Sequence, residues 1–124
     1  VTEGSEPRED PPITSPRWRA WAGLFGGASG WALHHQVGST SNFARCTVAD
    51  GGLVIVTGLL AAAIVLVGGW LSWTAWRRGG GGASTSHEAA GRFLPAVSLM
   101  AAALFLLTIL TQVVAGLIVP ACWR

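Results

Sequence analysis

Lysine is absent from this chain, and charge of either sign is scarce: 11% of its 124 residues are charged, against roughly 25% in an ordinary soluble domain. With 51% of the residues hydrophobic, that shortage excludes the soluble globular class and leaves the membrane class. The arginines are scattered and mostly flank apolar runs. The formal charge of +2 therefore reads as membrane anchoring, and no nucleic-acid partner is expected. A phosphate loop is excluded too, since no lysine follows the four glycines after Arg78 and no strand precedes them. No internal repeat is evident, and cysteine is limited to Cys46 and Cys122.

What is present is a succession of apolar runs. The sequence predicts an all-α membrane protein with three transmembrane helices, at about residues 18–37, 53–76 and 93–119. Residues 1–16 are rich in acids and proline and bury too little to offset their ordering entropy, so they read as a disordered cytoplasmic tail. The three spans, an outer loop at 38–52 and a cytoplasmic glycine and serine linker at 77–92 make up one transmembrane domain, 17–124.

The first span is the most dilute in apolar residues. Arg17 and Arg19 precede it as they would a secretory signal, but His34, His35 and Gln36 stand where a small-residue cleavage site would fall, so it is expected to stay uncleaved. Gly23 and Gly27 are four apart, as are Gly26 and Gly30, a spacing that lets another helix approach closely. In the second span Trp70, Trp73 and Trp76 recur every third residue before Arg77 and Arg78. Together with Trp18, Trp21 and Trp123 they are expected at the membrane interface, in contact with lipid.

Arginines close to the spans set the orientation. Arg17, Arg19, Arg77, Arg78 and Arg92 would share one side, and Arg45 and Arg124 the other. The positive-inside rule puts the N-terminus in the cytoplasm and the C-terminus in the periplasmic or extracellular space. Three crossings put Cys46 and Cys122 on that same oxidising side, where a disulfide between them is expected.

Chemistry has few candidates. The second and third spans contain no acid and no arginine, although membrane enzymes usually carry ionisable groups there. His34 falls on the face of Gly23, Gly27 and Gly30, and His35 lies about 100° away, so the two cannot ligate one ion from a regular helix. Either could bind haem iron only if a partner supplied a second ligand, because His87 lies in the linker. No catalytic residue, no metal site and no cofactor of the chain's own is expected. Thr108 and Gln112, four apart in the third span, read as hydrogen-bonding glue between helices.

The run WAGLFGGASGWALHHQVG leading to a cysteine, a second span ending in tryptophans and WRR, and GRFLPAVSLMAAALFLLTILTQ closing on PACW complete the pattern. Over about residues 18–123 this resembles a group of small three-span bacterial proteins encoded beside haem-copper cytochrome c oxidase and its assembly genes. The resemblance implies a multi-pass protein of the bacterial inner membrane that associates with a respiratory terminal oxidase. It supplies no catalytic residue. The expected function is a non-catalytic accessory subunit of that respiratory, electron-transport complex, with an assembly or cofactor-insertion helper as the alternative.

Overall fold

The computed structural model describes residues 16–44, 51–78 and 86–118. They form three α-helices: α1 (Trp18–Ala44), α2 (Gly51–Arg78) and α3 (Ser86–Ile118). Helix α1 continues seven residues past the expected end of the first span, and α3 starts within the expected linker. The tail at 1–15, the linker glycines at 79–82, Arg45, Cys46, Cys122, Trp123 and Arg124 lie outside the described residues.

Local chemistry explains the helix ends. At the start of α1 the Arg19 N–H donates to Pro16 O at 3.0 Å and the Ala20 N–H to Arg17 O at 3.2 Å, which occupies two amides that have no partner further back in the helix. Helix α2 runs to Arg78, the last described residue before the glycine run. Arg77 and Arg78 in its last turn also complement the negative end of the helix dipole. Pro95 lies inside α3 and is buried, so the Gly91 carbonyl four residues back has no proline N–H to accept.

Each helix packs on both others. Gly23 meets Ser72 and Ser98 at one end of the bundle, while His34 meets Thr57, and Gly58 meets Val113, toward the other. The order is up, down, up, with α1 parallel to α3 and α2 antiparallel to both.

The distribution of residue size is the inverse of a soluble core. Buried in α2 are Gly58, Ala61, Val65, Gly68, Gly69, Ser72 and Ala75. The large residues Leu59, Leu66, Trp70, Met100 and Leu104 face outward, Trp70 being 68% exposed. In hydrocarbon an outward leucine costs nothing, and helices associate through close backbone approach and dispersion contacts. Helices α2 and α3 are each long and apolar enough to cross a membrane, and α1 is not among the helices that meet that standard. The described residues thus form an all-helical bundle with the character of a multi-pass membrane protein.

Most buried positions follow one rule. In α1 they are Gly23, Gly27, Gly30 and His34; in α2 Gly58, Ala61, Val65, Gly68, Ser72 and Ala75, with Gly69 buried beside them; in α3 Pro95, Ser98, Ala102 and, seven residues on, Ile109. Steps of three, four and seven fit a 3.5-residue period, the seam of left-handed helix packing. Ala61, Val65, Ala102 and Ile109 form its apolar centre, with Trp31, Leu106 and Val113 packed against them.

The expected disulfide between Cys46 and Cys122 is corrected. No disulfide is present among the described residues, and both cysteines lie outside them. At this end of the bundle α2 and α3 are held by packing: a Cβ on Gly116 would lie 3.1 Å from Val54 Cγ1, and one on Gly58 would meet Val113.

Candidate functional site

The glycines of α1 sort into two stripes. A Cβ on Gly23 would come within 2.6 Å of Ser98 O and one on Gly27 within 2.5 Å of Phe105, both on α3. On Gly26 it would meet Gly68 and Ile64 of α2 at 3.2 Å, and on Gly30 it would meet Ala61 O at 2.8 Å. One stripe admits α3 and the other admits α2.

At the arginine-bearing end the Ser72 hydroxyl sits between two backbone groups of α1. It accepts from the Gly23 N–H at 2.8 Å and donates to Arg19 O at 3.1 Å. Those are the two groups an α-helix normally joins directly, four residues apart. Beside this clamp, the Ser98 hydroxyl and Arg19 Nε are buried and have no hydrogen-bond partner among the described residues. The Arg19 guanidinium lies over the Trp18 ring, 5.6 Å from its centroid. Neither Ser72 nor Ser98 stands out in sequence, where each sits among large apolar neighbours. The signal that would have found them is the 3.5-residue recurrence of small residues.

The other end holds the histidines. His34 is 5% exposed, and its Nδ1 is 3.4 Å from Thr57 Oγ1. The Thr57 hydroxyl already donates to Leu53 O at 2.8 Å. The Thr57 hydroxyl thus stands between the backbone of its own helix and the His34 ring of α1. His35 is exposed and stacks on Trp31, with centroids 5.3 Å apart and planes 13° apart. Trp31 in turn leans on Phe105 at 6.3 Å. The two histidines diverge, and among the described residues no group of three or more His, Cys, Asp or Glu could hold a metal ion.

Thr108 and Gln112 do not act as the expected pair. The Thr108 hydroxyl is exposed and donates to its own helix at Leu104 O, 2.9 Å away. Gln112 is half-buried and its Oε1 has no partner among the described residues. A shared face in the helical pattern is wide enough for one member to point at neighbouring helices and the other away.

Trp18 and Trp21 at the start of α1 lie at the same end as Trp70, Trp73 and Trp76, close to Arg77 and Arg78. The Trp73 and Trp76 rings are 5.1 Å apart and tilted. Between α2 and α3 at this end runs an apolar groove of about 540 Å³. Compared with known proteins, the chain matches no family model, no curated protein and no solved structure.

Proposed function

We propose that the chain is a three-span protein of the bacterial inner membrane, with its N-terminus in the cytoplasm and its C-terminus outside. It serves as a non-catalytic accessory subunit of a respiratory membrane complex, a haem-copper cytochrome c oxidase. The observation that carries a structural role is how the bundle uses its buried polar groups. Ser72 ties α2 to α1, and His34 turns to Thr57, so both serve contacts between helices. The groove between α2 and α3 is apolar and offers a surface, with no acid or base in its wall.

Three features support the topology. Helix α1, 27 residues long, reaches roughly 40 Å, enough to cross a hydrocarbon core of roughly 30 Å. Its glycine stripes seat it against both neighbours. Arg17, Arg19, Arg77, Arg78 and Arg92 all belong to one end of the bundle, as the positive-inside rule requires of a cytoplasmic face. The oxidase rests on the resemblance of residues 18–123 described above. Membrane-protein partners would meet the outward leucines and tryptophans, and haem would enter only if a partner supplied it. A helper in cofactor insertion is the second reading, favoured by the exposed imidazole of His35 beside Trp31.

Purification of the complex in mild detergent, followed by mass spectrometry and a haem spectrum, tests this. Stoichiometric presence in the active oxidase is the expected result. Transient association, with loss of haem or copper when the chain is deleted, selects the helper. A chain that purifies alone, stable and spectrally silent, overturns both.

A further inference from the structure

We infer that the groove between α2 and α3 is a binding site for one anionic phospholipid, with an acyl chain in the groove and the phosphate held by Arg77 and Arg92. This rests on the reading that α2 and α3 lie in a membrane.

The groove arises from a contact between small residues. Gly69 faces Ala102, where an added Cβ would lie 3.6 Å from the alanine methyl. Around this shallow floor stand Trp70 and Trp73 of α2 and Leu99 and Leu106 of α3, enclosing about 540 Å³. Along α2 the lining runs from Val65 to Trp73, roughly 12 Å at 1.5 Å per residue. That approaches the depth of one leaflet, roughly 15 Å if the hydrocarbon core is about 30 Å. The wall thus fits an acyl chain descending from one surface. A crossing helix would require a face that runs the full thickness.

Charge selects the headgroup. Arg77 lies four residues beyond Trp73, on the same stripe of α2 and roughly 6 Å nearer the surface. Arg92 lies seven residues before Leu99, on the stripe of α3 that forms the opposite wall. Because the helices are antiparallel, both arginines stand at the same end of the groove, with Arg78 beside them. Glu88 is the only acid in the sequences of α2 and α3, so this mouth carries net positive charge. The indoles of Trp70 and Trp73 belong at the depth where acyl chain meets headgroup. A zwitterionic lipid would fill the groove equally well, and only an anionic one would also use the arginines.

The test uses the full chain in mild detergent and native mass spectrometry, with phosphatidylglycerol and phosphatidylcholine of identical acyl chains as probes. One phosphatidylglycerol per chain should bind in preference to phosphatidylcholine, and free glycerol phosphate should not displace it. The R77Q/R92Q double variant should bind phosphatidylglycerol roughly thirtyfold more weakly, at the usual strength of two arginines near an anionic surface. Ala103→Trp, at an exposed lining position, should reduce binding of both lipids with helix content unchanged. Equal affinity for the two lipids, displacement by glycerol phosphate, or a second copy of the chain excluded by Ala103→Trp would each overturn the site. Flotation with vesicles separates the two layers of the argument: a chain that does not float fails the membrane reading, and one that floats without headgroup preference fails only the lipid site.

Discussion

The Ser72 hydroxyl of α2 accepts the Gly23 N–H of α1 at 2.8 Å, and a Cβ on residue 23 would lie 3.0 Å from that hydroxyl and 2.6 Å from Ser98 O of α3. A donor of α1's own backbone is thereby shared with α2. Glycine is required at the point of contact so that the serine can reach it.

This clamp predicts a contrast between two hydroxyl positions of α2. Ser72→Ala should destabilise the bundle by about 1 kcal/mol, the usual worth of an interhelical hydrogen bond in a membrane protein. Thr74 donates to Leu71 O of its own helix at 2.8 Å, and Thr74→Ala should change stability by under about 0.5 kcal/mol. Reversible unfolding in mixed detergent micelles measures both. Equal effects would show that the clamp carries no energy between helices.

Glycine substitutions should divide by what their Cβ meets. At Gly68 it would lie 2.5 Å from Ala22 O, a backbone atom that cannot rotate away, so Gly68→Ala should cost about 1–3 kcal/mol. At Gly38 nothing lies within 4 Å, and Gly38→Ala should be neutral or stabilising by up to about 1 kcal/mol through helix propensity. Thermal unfolding of the two variants gives the comparison, with opposite signs expected.

Much of this arrangement was legible in the sequence, and the illegible part has a physical cause. Long uncharged runs marked α2 and α3, and the four-residue spacing of glycines in α1 pointed to close neighbours. Hydropathy weights large side chains, which here face outward, so the reading by composition followed the lipid surface and passed over the seam. The division of labour between Gly23 with Gly27 and Gly26 with Gly30 depends on where two other helices stand, and no local pattern encodes that. Thr108 illustrates the same limit, since a hydroxyl can satisfy itself on Leu104 O within one turn. The cysteine pairing rested on a shared compartment alone, which permits a bond without requiring one.

The two histidines should behave differently despite being adjacent. His34 is buried against Thr57, and His34→Ala should cost about 1–3 kcal/mol by leaving a gap between the helices. His35 is exposed beside Trp31, and His35→Ala should cost under about 1 kcal/mol. Acylation of imidazoles in the folded protein should modify His35 well before His34. Equal reactivity would contradict the burial of His34.

Orientation can be tested by reporter fusions within the segment 79–85. A reporter active only in the cytoplasm should work there, and one active only outside should not. Replacing Arg77, Arg78 and Arg92 together with glutamine should produce a mixture of orientations. A reporter that works only outside in the unaltered chain would reverse the proposed topology.

The seam of small residues has a bearing on how such a bundle can change. A position that faces lipid is constrained only by polarity, so leucine, isoleucine, methionine and phenylalanine are nearly interchangeable there. A seam position is constrained by volume to within one methyl group, as the 2.5 Å approach of a Gly68 Cβ to Ala22 O implies. Novelty in this scaffold must therefore be written on its outside. The tolerant surface is also the one that any partner or lipid reads, so new associations could be acquired there without loosening the helices that present them.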